Sequence, residues 1–179
     1  MTKSAKSAVR KPVSKPAAKS GGGERLGALP EWNLNDLYPG LDSPELKSDL
    51  EQADTDCAAF EEAFKGKLQA MASGESAGKE GGLSLAEAVK RYEVLEDKLG
   101  RLYSYASLLY SGNTTDPVRA KFYGDVQERI TAASLHLLFF TLELNRVDDA
   151  ALEAAMNDPA LGHYRPWVED VRKEKPYQL

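Results

Sequence analysis

The chain has 179 residues, of which 42% are hydrophobic, and this suits one domain with its own apolar core. No apolar run approaches the roughly 18 uninterrupted residues of a membrane-spanning helix, so none is expected. Six of the 23 basic residues and none of the 28 acidic residues fall within residues 1–23, which leaves 17 basic against 28 acidic residues in the rest. An acidic body repels phosphates, which argues against a nucleic acid partner.

The first residues have the composition of a disordered tail. Their basic residues are Lys3, Lys6, Arg10, Lys11, Lys15 and Lys19. Because such a segment cannot bury enough apolar surface to fold, residues 1–28 are predicted to be a disordered basic tail with a hinge at Gly21–Gly23. A mitochondrial transit peptide is the alternative, although Pro12 and Pro16 would break its amphipathic helix. The segment lacks the apolar core of a secretory signal. The expected location is cytoplasmic.

Residues 29–40 open the predicted folded region, residues 29–179. Prolines at both ends of this segment disfavour one helix over its whole length. The segment is unusually apolar for a loop, because it contains Trp32, Leu34, Leu37 and Tyr38. We expect it to pack onto the helices, and the alternative is an exposed motif that binds a partner.

The first long helix is predicted to begin at Ser43, a good N-cap, with Pro44 at the first helical position. The apolar residues that follow recur at spacings of three, four and seven: Leu46, Leu50, Ala53, Cys57, Phe60, Phe64 and Met71. This spacing puts them on one helical face. The helix is expected to end at the glycines at positions 74, 78, 81 and 82, which form a loop.

The second helix is predicted to begin after Ser84. Residues 84–87 have the pattern of a capping box, in which Glu87 reaches back to the Ser84 amide. The apolar face consists of Leu85, Tyr92, Leu95, Leu99, Leu102, Ala106 and Leu109, and it is widened by Tyr103, Tyr105 and Tyr110. Gly100 lies inside this helix at a cost of about 1 kcal/mol relative to alanine, which a close helix crossing would explain.

The third helix is predicted to span residues 116–146, roughly 45 Å, with Asp116 as its N-cap and Pro117 at its first position. Its apolar face consists of Val126, Ile130, Ala133, Leu137, Phe140 and Leu144, thickened by Phe122, Tyr123, Leu135, Leu138 and Phe139. Near its end the apolar residues almost surround the helix, so burial on more than one side is expected.

Shorter helices are predicted after Asp148 and at Asp158-Pro159, and no period-two alternation indicates a strand. The predicted fold class is therefore all-α. Its expected form is a bundle of three long antiparallel helices with shorter carboxyl-terminal helices and a disordered amino-terminal tail.

The sequence offers no set of residues suited to catalysis or metal binding. The two histidines, His136 and His163, form no H-E-x-x-H pair. His136 is interpreted as a satisfied core or interface histidine, and His163 as a surface or capping residue. The single cysteine, Cys57, is interpreted as a small buried hydrophobe, with a reactive thiol as the alternative. No catalytic, cofactor-binding or metal-binding residue is predicted.

Four segments resemble the oligoendopeptidase F proteins. Residues 32–38, Trp-Asn-Leu-Asn-Asp-Leu-Tyr, resemble the W-[DN]-L-x-D-L-Y opening of that family, and residues 99–106 resemble its second-helix segment. Residues 137–144 also fit, as does the region 163–167 followed by Arg172-Lys173. Because the four segments occur in the order of the family, the resemblance runs from about residue 29 to the end.

Members of this family are zinc metallopeptidases, similar to thimet-type oligopeptidases, that cleave short peptides inside a deep channel. The resemblance implies that this region forms part of the channel wall. In the family the H-E-x-x-H helix and the downstream glutamate ligand lie beyond the matched stretch, so zinc is expected in the full-length protein and not in this chain. The implied partners are the missing carboxyl-terminal catalytic domain and short peptides, and the chain alone is expected to be inactive.

Two alternatives stay open. The chain could be a stand-alone helical module that docks another protein and has no enzymatic activity, or its basic tail could tether the body to anionic surfaces. If the apolar faces include surface meant for a missing catalytic domain, the isolated chain should expose apolar patches and aggregate or dimerise.

Overall fold

The computed structural model describes residues 32–75 and 84–178, and within them the chain is all helical. The helices are α1 (Pro44–Phe64), α2 (Leu68–Ala72), α3 (Leu85–Gly112), α4 (Pro117–Leu135), α5 (Leu138–Arg146), α6 (Asp149–Ala155), α7 (Pro159–Gly162) and α8 (Arg165–Arg172), followed by a 3₁₀ turn at Lys175–Tyr177. The described residues contain no strand, so the predicted all-α class is confirmed. The predicted tail, residues 1–28, and most of the predicted glycine loop lie outside the described residues.

The predicted helix starts are confirmed by their caps. The Ser43 hydroxyl accepts a hydrogen bond from the Leu46 amide, and Pro44 follows at the first helical position. Asp116 accepts from the amides at the start of α4, and Asp148 and Asp158 do the same for α6 and α7. Each cap satisfies amides that have no partner inside the helix.

The capping box at the start of α3 is only half formed. The Ser84 hydroxyl accepts from the Glu87 amide at 3.1 Å, as predicted. The Glu87 carboxylate does not complete the box, because it accepts from the Arg91 guanidinium at 2.6 Å. An ion pair one turn along the helix replaces the return bond to the Ser84 amide.

Helices α1, α3 and α4 pack against one another, and each runs antiparallel to the next in the chain. Arg101, late in α3, binds Asp49, early in α1, whereas Phe60, late in α1, packs on Tyr92, early in α3. The short connection between α3 and α4 brings Tyr105 against Phe122. Most of the apolar residues predicted for these helices point into the shared core, with Leu46, Cys57, Leu102 and Ala133 fully buried, whereas Tyr103 is 43% exposed.

The predicted first helix is interrupted, and this corrects its predicted continuity to Met71. Helix α1 ends at Phe64, and Gly66 adopts a φ of +78°, which glycine tolerates and other residues rarely adopt. Helix α2 then begins at Leu68 in a new direction. Met71 still reaches the core, but it does so from α2.

The predicted third helix, residues 116–146, is also two helices. Helix α4 ends at Leu135, a tight turn follows at His136 and Leu137, and α5 begins at Leu138. In the turn the amides of His136 and Leu137 bond to carbonyls three residues back, which tightens the backbone relative to an α-helix. The span of roughly 45 Å expected for one straight helix is therefore wrong.

The expectation that the end of this region is buried on several sides is wrong as well. Leu135, Leu138 and Leu142 are 62%, 57% and 45% exposed. Their neighbours Phe139, Phe140 and Leu144 are buried, so the core is reached from one side only. Leu135 ends α4, whereas Leu138 and Leu142 lie one turn apart on α5. We call these three exposed side chains the leucine face.

The opening segment is divided between core and solvent. Tyr38 is buried against Tyr105, and its hydroxyl donates to Asp49 at 2.7 Å. Leu34 and Leu37 pack at the edge of the core, whereas Trp32 is 75% exposed. The prediction that the segment packs onto helices is thus confirmed for its second half and wrong for Trp32.

Gly100 does not mark a close helix crossing. A side-chain carbon built at this position would have no neighbour within 4 Å, and the residue is exposed. Within residues 32–75 and 84–178, no helix combines the length and the apolar character needed to cross a membrane.

Candidate functional site

Arg172 of α8 contacts the end of α5 and the start of α6. Nη1 of Arg172 donates to the backbone carbonyls of Leu144, Asn145 and Val147 at 2.9, 3.1 and 2.9 Å. These carbonyls lie at the end of α5, where the helix leaves them without partners, and a cation there also favours the helix dipole. The Arg172 side chain is 14% exposed, and its other terminal nitrogen pairs with Asp149.

Two further polar contacts join this region to α2 and the turn before it. The Glu143 carboxylate on α5 accepts from the Gly66 amide at 2.8 and 2.9 Å, so it caps the turn where α1 ends. The Gln69 side chain accepts from the Asp148 amide at 2.9 Å. Each contact joins residues more than 70 positions apart, so the turn at Gly66 depends on α5.

Asn145 adds an unusual buried polar group to the same region. It is 2% exposed, and its Oδ1 has no hydrogen-bond partner among the described residues. A buried acceptor without a partner costs about 1–3 kcal/mol. Sequence reasoning missed Asn145 and the contacts of Arg172, because neither residue interrupts the apolar pattern on which the helices were predicted.

His136 lies at the turn between α4 and α5 and faces α1. Its Nδ1 is 2.6 Å from Glu61 Oε2, and its Nε2 is 3.7 Å from Asp54 Oδ1. The hydrogen bond with Glu61 makes it a satisfied histidine at a helix interface, as predicted. Lys65 also binds Glu61, and together Lys65 and His136 lower the pKa of that carboxyl.

The surroundings of His136 do not fit zinc. A zinc site needs donors that converge on one point about 2 Å from each. The two carboxylates near His136 face opposite nitrogens of its ring, so they do not converge with one ring nitrogen. No group of three or more His, Cys, Asp or Glu side chains in the described residues is arranged to hold a metal ion. The absence of a metal site from the whole chain stays a prediction.

The remaining candidate residues, Cys57 and His163, belong to other parts of the fold than His136. Cys57 is fully buried in the core, and burial raises the pKa of its thiol to about 11, so it is present as a neutral thiol at neutral pH. His163 ends α7 and is exposed, with its ring 3.8 Å from that of Tyr164. His136, Cys57 and His163 therefore form no common site.

A surface groove lies between α1 and α3. Its volume is about 650 Å³, and its lining is mostly apolar, with Phe60, Val94 and Leu95 along it and both acidic and basic residues at its rim. Val94 is 57% exposed. A shallow groove of this composition suits a peptide or another protein surface better than a small charged ligand.

Comparison with known families identifies the carboxyl-terminal part of the chain. A family model described as Oligopeptidase F matches residues 143–179. Over these residues the chain matches the amino-terminal region of oligoendopeptidase F-type proteins. We call residues 143–179 the oligopeptidase F segment. It contains Glu143, Asn145 and Arg172, the residues that organise α5 to α8.

This match confirms the resemblance over the last of the four segments that suggested it. The segments at 32–38 and 99–106, and all but the last two residues of the segment at 137–144, lie outside the matched residues and stay resemblances. No curated protein and no solved structure gives a significant match to the chain.

Proposed function

We propose that this chain is the amino-terminal helical region of a zinc-dependent oligopeptidase, that it forms part of the wall of the channel that admits short peptides, and that it carries no catalytic site of its own. The observation that carries the proposal is the match of residues 143–179 to the oligopeptidase F family. The matched helices are joined to α1 and α2 through Glu143 and Gln69, so they belong to the same helical body.

The leucine face supports a role beside another domain. Three large apolar side chains exposed within eight residues of the chain are costly in water, and exposed apolar surface of this kind is typical of interaction sites. In the proposed enzyme the partner is a catalytic region that contains the H-E-x-x-H helix. Zinc bound there would polarise the scissile carbonyl and activate water, and the present chain would position the peptide.

The proposal is tested by separating catalysis from assembly. The purified chain, given zinc and an internally quenched peptide, should show no steady turnover. Steady hydrolysis that a chelator abolishes would show that the chain has a catalytic site and would overturn this part of the proposal.

Assembly is tested with the catalytic region of an oligopeptidase F protein. Mixing it with this chain should give a complex by size-exclusion chromatography, and the L138K/L142K variant should weaken that complex. If the wild-type chain forms no complex, or if the variant binds equally well, the leucine face does not have this role.

The leucine face also keeps the second candidate function open, a helical module that docks a different protein. The gene discriminates between the two. A reading frame that continues past Leu179 into an H-E-x-x-H helix supports the peptidase, and a stop codon at that point favours the module. A cytoplasmic location is part of the proposal in either case.

A further inference from the structure

A second groove, between α3 and the α7–α8 region, differs from the first in its charge. It has a volume of about 470 Å³ and is lined by Val89, Tyr92, Glu93, Glu96, Asp97, Tyr164 and Trp167. The five lining residues from α3 have the spacing of one helical face. None of the lining residues, all of which the structure describes, is basic, so the groove carries three carboxylates and no compensating cation.

Aromatic rings form the inner surface of this groove. The rings of Tyr92 and Trp167 lie 5.7 Å apart with 33° between their planes, and Tyr92 also stacks on the buried Phe140 at 4.6 Å. Tyr92, Tyr164 and Trp167 are all half-buried, so their rings are fixed by the core and still reach the surface. Ring faces of tyrosine and tryptophan attract cations within about 6 Å.

The carboxylates stand at the exposed edge of the same groove. The Tyr164 hydroxyl donates to Glu93 at 2.5 Å, which fixes one carboxylate, whereas Glu96 and Asp97 are exposed on α3. These carboxylates act on the neighbouring tyrosine hydroxyls. The pKa of Tyr92 is raised by burial and by Glu96, and the pKa of Tyr164 is raised by its hydrogen bond to Glu93.

Several basic residues close in the sequence to the lining residues pair with other acids, as Arg101 does with Asp49 and Arg165 with Glu153. Lys98, one residue beyond Asp97, pairs with Asp56 on α1 at 2.6 Å. Lys90 and His163 line a separate depression that shares only Tyr164 with this groove. The arrangement of an aromatic floor and an anionic edge is complementary to an alkylammonium or guanidinium group on an apolar stem.

We propose that this acidic aromatic groove binds a lysine or arginine side chain of an extended peptide, with the cation over the Tyr92 and Trp167 rings and beside Glu96 and Asp97. The volume exceeds that of one side chain, so adjoining peptide backbone fits as well. The binding proposed is independent of hydrolysis and stands whether or not the chain belongs to a peptidase.

The test uses Trp167 as the reporter. The full chain carrying Trp32→Phe has Trp167 as its single tryptophan, because the sequence contains two. An acetylated octapeptide with two arginines among serines and glycines should change the Trp167 emission saturably. The same peptide with glutamines in place of arginines should bind at least about tenfold more weakly, a difference of about 1.4 kcal/mol.

Matched variants separate the groove from general charge attraction. The E96Q/D97N variant should weaken binding of the arginine peptide by about tenfold. The E51Q/E128Q variant removes the same number of charges from exposed positions on α1 and α4 and should change binding less than about twofold. Circular dichroism verifies that both variants keep the wild-type helix content, and the single change E93Q gives an independent third variant.

The outcomes are decisive in both directions. Tighter binding of the arginine peptide than of the glutamine peptide, together with weaker binding in E96Q/D97N but not in E51Q/E128Q, supports the proposed binding in the groove. Equal losses in the two double variants would reduce the effect to the net charge of the body, and equal binding of the glutamine peptide, or no saturable change, would overturn the proposal. Failure of the isolated chain to hydrolyse peptides has no bearing on any of these results.

Discussion

At the scale of single residues, the contacts of Arg172 join the carboxyl-terminal helices, and no sequence pattern predicted them. Arg172 serves three carbonyls at the end of α5 through one nitrogen, whose two hydrogens are shared among them. Burial lowers the pKa of Arg172, but guanidinium stays charged at any ordinary pH. It therefore acts as a fixed cation that ties α8 to α5.

Replacing this arginine should destabilise the fold strongly. In Arg172→Met the three carbonyls lose a charged donor, so we expect the free energy of unfolding to fall by about 2–3 kcal/mol. Arg146→Met, an exposed arginine in the last turn of α5, is the matched control and should cost less than about 1 kcal/mol through the helix dipole alone. Urea unfolding measures both variants, and losses of equal size would show that Arg172 has no special role.

At the scale of secondary structure, the starts of helices could be predicted from sequence and some of their ends could not. Ser43, Ser84 and Asp116 were identifiable because a cap acts on amides only two or three residues away. The break at Gly66 was missed because the apolar period continues across it. Its amide is capped by Glu143, 77 positions along the chain, and no local pattern records such a contact.

In the candidate sites, too, features set by nearby residues could be predicted and features set by contacts distant in the sequence could not. The burial of Cys57 followed from its position on an apolar helical face, which is a local property. The acidic aromatic groove joins Glu93 of α3 to Tyr164, 71 positions later, and it exists only once α7 and α8 have folded back. The exposure of the leucine face was missed because the turn at His136 interrupts the helical period on which the burial of these leucines was predicted.

Two glycines should respond in opposite directions to the same substitution. Gly66→Ala places a side chain on a backbone with a φ of +78°, which should cost about 1–2 kcal/mol. Gly100→Ala replaces an exposed glycine inside α3, where nothing lies within 4 Å of the new carbon, and should stabilise the chain by about 0.5–1 kcal/mol.

Thermal and urea unfolding of these two alanine variants give the sign directly. A stabilised Gly66→Ala would show that the turn at the end of α1 does not need a left-handed backbone. A destabilised Gly100→Ala would mean that another molecule or domain approaches α3 at this position.

At the scale of the whole molecule, the described residues share one apolar core, and a few large apolar side chains remain exposed at the surface. Phe60 lies at the centre of an aromatic group from three helices, with Tyr92, Phe139 and Phe140 within 6.1 Å of it between ring centroids. The same α5 that contributes Phe139 and Phe140 to this group presents Leu138 and Leu142 to water. A helix that is apolar on both sides is typical of one placed between two packed bodies.

The leucine face should therefore make the isolated chain self-associate. Burying a leucine side chain fully is worth about 1.5–3 kcal/mol, and three partly exposed leucines on each copy offer enough apolar area for a weak dimer. Sedimentation velocity should show the weight-average mass rising with concentration. In L138K/L142K the dissociation constant should increase at least about tenfold, because two apolar contacts are replaced by like charges that meet across a symmetric interface.

Val118→Lys is the control for this experiment, since Val118 is 62% exposed but stands at the opposite end of α4 from the leucine face. Self-association should be unchanged in this variant. A wild-type chain that stays monomeric at high concentration would mean that exposed leucines at this position are tolerated without a partner, and the argument for a covering domain would then depend on the oligopeptidase F segment alone. Association weakened equally by Val118→Lys would show that the leucine face is not the contact surface, because adding positive charge to an acidic body lowers its self-repulsion and cannot by itself weaken association.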